Sequence, residues 1–447
     1  MNQLFSKYDV PAPRYTSYPT VPYWNTTPSP DQWISHVQKT LDNSQSSWSM
    51  YLHIPYCETL CTFCGCNTTT TKDHKKEQPY VELLLKEFEL YLLKVPELRN
   101  KPCRQIHLGG GTPTFFSAEN LEKLLQGLQK NITLDQVHFE GSVEVDPRRT
   151  TRHQLQVLKQ NGINRISLGV QDFDAEVQRL VNRIQPFDIT KQMTEWAREL
   201  GYVSVNFDLI YGLAKQTLES MRKTTELTIQ LRPDRIALYS FAMVPWIKPA
   251  QRLFKDQDLP KSEDKRKLYE LSREMLLNAG YLEVGMDHFA LPHDGLIKAQ
   301  KSNSLHRNFM GYTDVRTDLL LGLGVSSISE TPFSFHQNEK ILTNYENQIN
   351  QNNIATFRGH ILTESDQKHR QQILQFMTEY SVSLDVEQMK TAPEFLAEMF
   401  VDGLVKVEGR NLKITEKGKP FLRNACVFFD EHLRANQPQT KIFSQSI

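Results

Sequence analysis

Residues 57–66 read Cys-Glu-Thr-Leu-Cys-Thr-Phe-Cys-Gly-Cys and hold four of the six cysteines in this 447-residue chain. They follow an apolar run, Met50–Ile54, which predicts a short buried strand. Pro55 ends that strand and begins a loop. The thiols are therefore presented together at the carboxyl end of a strand, where a metal ion or a metal cluster is the expected occupant.

Three kinds of site compete for these thiols. A disulfide framework is disfavoured, because such frameworks are typical of small secreted domains and only Cys103 and Cys426 lie elsewhere in this long chain. Structural zinc usually takes two separated pairs of ligands, and the nearest downstream imidazole, His74, is isolated. Closely spaced thiolates also bind iron–sulfur clusters. The spacing favours a cluster with one open iron position, and zinc stays as the alternative.

Composition restricts the class of protein. A chain of 447 residues with 39% hydrophobic residues has room for two or three domains and a large core. A formal net charge of zero argues against general binding to nucleic acid or a membrane surface, and no apolar run is long enough to span a bilayer. Because Met1–Lys7 lacks the apolar segment of a signal peptide, we expect a cytoplasmic protein with reduced thiols. The sequence shows no exposed heptad pattern, so a monomer is expected.

Strand-like and helical segments alternate along the chain. Strands are predicted at Met50–Ile54, Gln105–Leu108, Ser142–Val145, Arg165–Val170, Val203–Ile210 and Arg235–Ser240, with a further one at Tyr281–Phe289. The spacers between the first six hold amphipathic helices such as Leu121–Leu128 and Leu218–Leu231, which indicates parallel βαβ units. Six units in series predict an α/β fold built on a TIM-like partial (β/α)6 barrel.

Polar residues recur where successive predicted strands end. Gly109–Pro113 follows the second strand, Glu144 lies in the third, Gln171 follows the fourth and Asp208 lies in the fifth. Barrels of this type bind ligands at the carboxyl ends of their strands, so these residues and Arg183 are expected to line one pocket with the thiols. Taken singly, each has a structural explanation as a tight turn, a helix cap or a core amide. Together they favour a binding site.

The chain is expected to divide into three parts. Residues 1–47 form an arm, rich in proline and aromatic residues, with a helix; residues 48–345 form the barrel with its extension. Residues 346–447 form a small, mostly helical, winged-helix-like domain with a hairpin at Leu404–Thr415. The arm either packs on the domain surface or covers an active-site mouth with Arg14 facing an anion. Acidic residues flank the hairpin, so packing or a lid is favoured over DNA binding.

The cysteine spacing, C-x3-C-x2-C with an aromatic residue before the third cysteine, resembles that of radical S-adenosylmethionine (SAM) enzymes. Along nearly its whole length the chain is similar, more specifically, to the oxygen-independent coproporphyrinogen III oxidases. The motifs are Pro13–Thr20, Tyr51–Pro55, Cys64–Asn67, Gly109–Pro113, Glu144–Pro147, Gly169–Phe173, Asp208–Leu213, Gly285–Ala290 and His306–Phe309. The Cys-Gly-Cys ending and the arm distinguish this family from the related haem chaperones.

The resemblance implies a cofactor set and the residues that hold it. Cys57, Cys61 and Cys64 would bind a [4Fe–4S] cluster, and Cys66 would not be a ligand. Two S-adenosylmethionine molecules are implied per chain. The first would contact Tyr51, Gly110, Glu144 and Ile328, and the second Phe63, Gly111, Thr112, Gln171, Arg183, Asp208 and Ala242. Arg14 and Arg307 are candidates for binding substrate carboxylates, because arginine pairs bidentately with them.

The resemblance also implies a reaction. Two propionates of coproporphyrinogen III would be converted to vinyl groups by a 5′-deoxyadenosyl radical mechanism, giving protoporphyrinogen IX in haem biosynthesis. The implied partners are an electron donor such as flavodoxin or ferredoxin and an external electron acceptor. Two alternatives are a haem-binding chaperone of the same superfamily and a structural-zinc protein with an interaction domain.

Overall fold

The computed structural model describes residues 2–436, 438 and 442–446. Its N-terminal arm contains α1 (Asn2–Tyr8) and α2 (Pro30–Leu41). Ser29 begins α2 through a capping box with Gln32, and Pro30 suits the first helical position because it has no N–H to leave unpaired. The arm therefore ends in a well-capped helix directly before the barrel.

The barrel occupies residues 48–240. Its elements are β1 (Trp48–Ile54), β2 (Tyr56–Cys57), β3 (Thr69–Thr70), α3 (Glu77–Lys94), β4 (Pro102–Gly110), α4 (Ala118–Gln129), β5 (Thr133–Leu134), β6 (Glu140–Val145), α5 (Arg152–Gln160), β7 (Arg165–Gln171), α6 (Ala175–Leu180), α7 (Phe187–Glu199), β8 (Ser204–Tyr211), α8 (Leu218–Leu231) and β9 (Arg235–Ser240).

An extension follows the barrel and enlarges its sheet. Its elements are α9 (Ser262–Asn278), β10 (Leu282–Val284), β11 (His288–Ala290), α10 (Gly295–Lys301), β12 (His306–Asn308), β13 (Gly311–Thr313), β14 (Leu319–Leu323), β15 (Ile328–Glu330), β16 (Ser334–Asn338), α11 (Leu342–Asn350) and β17 (Thr356–Ile361). β17 pairs with β16 in the main sheet. The predicted domain boundaries at residues 47 and 345 stay a prediction.

The six predicted barrel strands all form and pair in parallel in the order β9-β8-β7-β6-β4-β1. The order follows the chain without reversal, as βαβ units in series require. β9 pairs with β11 on its other side, and β1 pairs with β14. The barrel is therefore partial, as predicted.

Side chains alternate between two faces along the barrel strands. Met50 and Leu52 of β1 and Ile106 and Leu108 of β4 are fully buried in the main hydrophobic core. His107, between the last two, lines the interior of the barrel. This alternation places apolar residues in the core and polar residues on the concave side.

One predicted strand is wrong in its extent. Residues 281–289 form a hairpin, β10 and β11, and not a single strand. Gly285 lies in the turn with a φ of 58° and its ideal Cβ would lie 2.0 Å from the Tyr312 ring, so no other residue fits there without displacement. The positive φ reverses the chain where the sequence pattern continues as a strand.

The C-terminal part contains helices and a three-stranded antiparallel sheet. Its elements are α12 (Glu364–Glu379), β18 (Ser381–Ser383), α13 (Val386–Phe395), α14 (Ala397–Val401), β19 (Val405–Glu408), β20 (Asn411–Ile414), α15 (Leu422–Cys426) and α16 (Glu431–Ala435). β19 and β20 form the predicted hairpin. A second hydrophobic core joins this part to Leu4, Phe5, Tyr8, Tyr15 and Tyr18 of the arm.

Within the described residues, none of the helices has both the length and the apolar character that crossing a membrane requires.

Glu87 is a buried carboxylate that joins α3 to the extension. It accepts hydrogen bonds from the Gly324 N–H at 2.8 Å, the Asn338 amide at 2.6 Å and the Tyr345 hydroxyl at 2.6 Å. Burial raises the pKa of Glu87 to about 7. Three donors from separate elements therefore depend on one side chain.

Glu87→Ala is expected to lower the free energy of unfolding by about 2–4 kcal/mol, because three buried donors lose their acceptor. Urea unfolding followed by circular dichroism measures this loss. Glu82→Ala on the same helix is the matched control, since its exposed carboxylate pairs with Lys123 at 2.9 Å. It is expected to cost under about 1 kcal/mol. Equal losses in the two variants would contradict the assigned role of Glu87.

Candidate active site

A cavity of about 380 Å³ opens inside the partial barrel. Its wall combines the cysteine loop with the inward-facing residues of β4, β6, β7 and β8. The predicted site residues that line it are Cys57, Cys61, Phe63, Cys64, Gly110, Gly111, Thr112, Glu144, Gln171, Arg183 and Asp208. The parallel sheet thus brings together residues from six separate stretches of the chain.

Three further predicted residues lie behind this wall or beside it. The Tyr51 hydroxyl is 3.0 Å from His53 Nδ1, and the Tyr51 ring stacks on His107. The Ala242 carbonyl accepts a hydrogen bond from Gln251. Ile328 packs against a small hydrophobic cluster of Trp24, Phe335 and Leu362. Arg14 and Arg307 also lie outside this cavity.

The three predicted cluster ligands are free thiols of intermediate exposure. Cys57 Sγ lies 3.4 Å from Thr112 Oγ1, and burial raises the pKa of Cys57 to about 11. The Cys64 N–H donates to the Cys61 carbonyl at 3.1 Å, which forms a tight turn. Metal binding must therefore displace a proton from Cys57. Soft thiols that face one cavity fit an iron–sulfur cluster.

Cys66 lines the same cavity as the three candidate ligands. A hydrogen bond with Cys66 lowers the pKa of the Cys64 thiol. Lys248 Nζ donates to the Cys66 carbonyl at 2.6 Å and so holds the end of the loop. The Cys66 thiol thus contacts a candidate ligand directly.

Two arginines lie beside the Cys61 sulfur. Arg148 Nη2 is 3.8 Å from Cys61 Sγ and Arg183 Nη1 is 3.7 Å from it. Asp146 pairs with both guanidinium groups, at 2.6 Å and 3.5 Å. Two cations that share one carboxylate therefore lie against the sulfur of a candidate ligand. Arg148 was missed in the sequence, although its place directly after the Asp146-Pro147 pair at a strand end is a signal that marks it.

Two glycines let the end of β4 approach the cysteine strand closely. An ideal Cβ on Gly110, whose φ is 108°, would lie 2.7 Å from the His53 ring. One on Gly111 would lie 2.8 Å from the Pro55 carbonyl. No side chain fits at either position without displacing these groups. The glycine turn therefore packs tightly against the cysteine strand, and its contact with a ligand stays a prediction.

Glu144 presents its carboxylate to the cavity, with 43% of the side chain exposed. It accepts a hydrogen bond from the Gly110 N–H at 3.2 Å and lies 3.3 Å from His107 Nε2. Burial opposes ionisation, but the His107 contact and the Gly110 N–H together lower the pKa of Glu144. The group is therefore an anion at neutral pH.

Asp208 is the second carboxylate of the cavity. It accepts hydrogen bonds from the Ser167 hydroxyl at 2.7 Å and the Asn206 amide at 2.9 Å. Burial, with a contribution from the Glu144 charge, raises the pKa of Asp208 to about 6. Asn206 lies two residues before Asp208 on the same face of β8, as the polar pattern of that strand indicates. Ser167, on an inward-facing position of β7, was missed in the sequence.

Gln171 reaches the cavity through an irregularity in β7. Its φ is 69°, and the pairing of β7 with β8 shifts register between Gly169 and Gln171. Arg183 Nη2 donates to the Gly169 carbonyl at 2.6 Å and so fixes this bulge. Bulges re-aim side chains, and the strained backbone is a feature typical of ligand sites.

The chain was compared with known proteins. Residues 51–228 match the sequence model of the Radical SAM superfamily. Oxygen-independent coproporphyrinogen III oxidase from Escherichia coli is 38% identical over 441 residues, which cover 96% of this chain and 95% of the relative. The oxidase of the same name from Synechocystis is 36% identical and covers 100% of this chain and 97% of the relative.

This chain belongs to the oxygen-independent coproporphyrinogen III oxidase family. A solved structure of coproporphyrinogen III oxidase from Escherichia coli, described as a radical SAM enzyme, superposes with a TM-score of 0.89 at 37% identity. The match covers 94% of this chain and 98% of that one. It confirms the predicted α/β radical SAM fold.

Membership makes this coproporphyrinogen III oxidase homologue a radical SAM oxidoreductase. Radical SAM enzymes use a [4Fe–4S] cluster and S-adenosylmethionine, and such cofactors carry the chemistry that side chains cannot supply. The cavity fits them, because three free thiols line it together with the glycine turn. Its anionic carboxylate, Glu144, suits the cationic groups of S-adenosylmethionine.

Asp208→Asn is expected to make the free energy of unfolding less dependent on pH. The pKa of Asp208 is about 6 in the folded chain against an ordinary 3.8, so its native-state stabilisation is lost as pH rises through 6. The variant should be more stable than the parent by about 1–3 kcal/mol near pH 7.5 and equally stable near pH 4.

Urea unfolding at a series of pH values tests this expectation. Asp188→Asn, at an exposed position in the first turn of α7, is the control and should show no such pH pattern. An Asp208→Asn variant less stable than the parent across the whole range would refute the assignment.

Proposed function

We propose that this protein catalyses the oxygen-independent oxidative decarboxylation of two propionates of coproporphyrinogen III. The propionates become vinyl groups, and the product is protoporphyrinogen IX, a haem precursor. The observation that carries the proposal is the convergence of three free thiols and two carboxylates in one barrel cavity. It occurs in a chain whose relatives of that name match over its full length.

Cys57, Cys61 and Cys64 would hold the cluster, and Cys66 would lie beside it as a non-ligand. When bound, the cluster and S-adenosylmethionine supply the radical chemistry that begins the reaction. The protein's own task is to hold the substrate in one orientation and to exclude water from the reacting side chain. Arg148 and Arg183 would add positive charge beside the Cys61 sulfur.

Two S-adenosylmethionine molecules would bind per chain. Gly110 and Glu144 would contact the first, with Tyr51 and Ile328 set behind them. Phe63, Gly111, Thr112, Gln171, Arg183, Asp208 and Ala242 would contact the second. A zwitterionic amino acid group needs partners of both signs, and Arg183 together with Glu144 and Asp208 offers both within one cavity.

Each propionate loses CO2 together with one hydrogen atom and one electron from its side chain. The electron must leave the protein, so the reaction needs an external acceptor as well as the donor that starts it. We propose flavodoxin or ferredoxin as the donor, and a monomer as the working form. Arg14 and Arg307 would bind carboxylates of the substrate.

The test is anaerobic reconstitution of the full chain with iron and sulfide, followed by addition of S-adenosylmethionine, a reductant and coproporphyrinogen III. We expect 5′-deoxyadenosine and protoporphyrinogen IX. A chain that binds haem but forms no vinyl product would support the chaperone alternative. A colourless chain that carries one zinc ion would support the structural-zinc alternative.

Ligand assignment is tested by substitution of single cysteines. Cys57→Ala, Cys61→Ala and Cys64→Ala are each expected to lose the visible absorbance and the iron content of the reconstituted cluster. Cys66→Ser should keep both. Cys103→Ser is a control, because this buried thiol lies at the opposite end of β4 from the glycine turn. Loss of iron from Cys66→Ser would overturn the assignment of three ligands.

A further inference from the structure

A second cavity, of about 640 Å³, lies between the arm, α9 and the C-terminal part. It shares a wall with the first cavity. Tyr239 and His288 line the first, whereas the adjacent Ser240 and Asp287 line the second. A hydrogen bond of 2.6 Å joins Asp287 to His288 across this wall. The two cavities therefore lie side by side, with adjacent residues of the same two segments lining each of them.

Most cations around the second cavity are already paired with acidic neighbours. The pairs are Arg266 with Glu270, Lys267 with Glu263, Arg273 with Glu283 and Lys419 with Glu416. These charges balance one another. The net charge of the second cavity is therefore determined by the residues of its inner wall.

The inner wall has three guanidinium groups without such pairs. Arg14 and Arg423 line the cavity, and Arg307 contacts Arg14 from behind. Arg14 Nη2 donates to the Ser240 carbonyl at 2.7 Å, and Arg423 Nε donates to the Pro13 carbonyl at 2.9 Å. In the part of the chain that the structure describes, none of the three forms an ion pair with a carboxylate.

Two of these three groups are deeply buried. Arg307 and Arg423 are each 7% exposed. Within the described residues, Nε and Nη1 of Arg307 have no hydrogen-bond partner. Burial, followed by repulsion from Arg14, lowers the pKa of Arg423 to about 9. Buried cations without counter-ions are costly, so this arrangement suits a site that receives an anion.

Asp287 is the carboxylate near the three guanidinium groups. One of its oxygens is hydrogen-bonded to His288 Nδ1. Burial opposes its ionisation, but His288 and then Arg307 and Arg14 lower the pKa of Asp287 to about 2. The inner wall therefore has three guanidinium groups and one carboxylate, which is also hydrogen-bonded to a histidine, so its net charge is positive. The wall therefore attracts a further carboxylate.

Contacts with the backbone hold Arg14 in place. Arg423 donates to the Pro13 carbonyl, and Arg307 Nη2 lies 3.5 Å from the Arg14 carbonyl. Two buried side chains thus hold the backbone on both sides of one arm residue. The arm presents Arg14 to the cavity in a fixed position.

We infer that the second cavity is a carboxylate subsite, where Arg14 binds a substrate propionate that is not decarboxylated. Arg423 and Arg307 hold the backbone on both sides of Arg14, and the Arg307 guanidinium adds its charge to the same carboxylate site. This inference rests on the proposed function. The propionate that loses CO2 must lie in the first cavity with the thiols and Glu144, whereas Arg14 lies beyond the shared wall. The product keeps two of the four propionates, so a retained carboxylate is available to bind there.

The test measures the binding of stable oxidised porphyrins to the reconstituted protein by fluorescence quenching. The probes are coproporphyrin III with four carboxylates, protoporphyrin IX with two, and the tetramethyl ester of coproporphyrin III with none. Arg14→Gln should weaken binding of both acids by about tenfold and leave the ester unchanged. Arg14→Lys should restore part of the affinity. Lys267→Gln is the control, since its charge is paired at the rim.

Each outcome decides the inference. Unchanged affinity of Arg14→Gln for both acids would overturn the subsite. Weaker binding of coproporphyrin III alone would show that Arg14 holds a reacting propionate, and would overturn its assignment to a retained one. Weaker binding of the ester as well would reveal a folding defect and overturn the charge argument. If the parent binds both acids through Arg14 but makes no vinyl product, the proposed function fails while the subsite stands.

Discussion

The parallel pairing of β1 with β4 is the constraint on which the site depends. The pairing continues beyond the end of β4, because the Gly111 N–H donates to the Ile54 carbonyl and the Thr112 N–H donates to the Tyr56 carbonyl. It therefore sets the cysteine loop directly against the glycine turn, with Cys57 beside Thr112. Only small residues permit this approach. The thiols and the Glu144 carboxylate, which the Gly110 N–H holds, face one cavity as a result.

Charge divides the interior into two regions with different tasks. Around the thiols, Glu144 and Asp208 are carboxylates whose surroundings move their pKa values in opposite directions. On the inner wall of the second cavity, the guanidinium groups of Arg14, Arg307 and Arg423 lie near a single carboxylate, that of Asp287. The first region suits a cationic cofactor, and the second suits an anionic part of the substrate.

Local patterns of apolar residues predicted most helices and strands. They failed where the backbone turns within a continuous apolar pattern. The barrel strands and the helices α4 and α8 have the predicted positions, since alternating and 3.6-residue patterns are local properties. The hairpin at Gly285 was missed because a positive φ leaves no trace in an apolar pattern. Arg148 was missed because its contact with Cys61 spans 87 residues of sequence.

The sequence by itself determined the chemistry: the spacing of Cys57, Cys61 and Cys64, the glycine turn and the order of the strands. These are properties of neighbouring residues, and short-range geometry is sufficient to interpret them. Only the tertiary structure decided how the arm sits. Arg14, Arg307 and Arg423 are each more than a hundred residues apart in the sequence, and no periodicity relates them. Their meeting depends on how the arm packs between the barrel and the C-terminal part, which is set by burial across the whole chain.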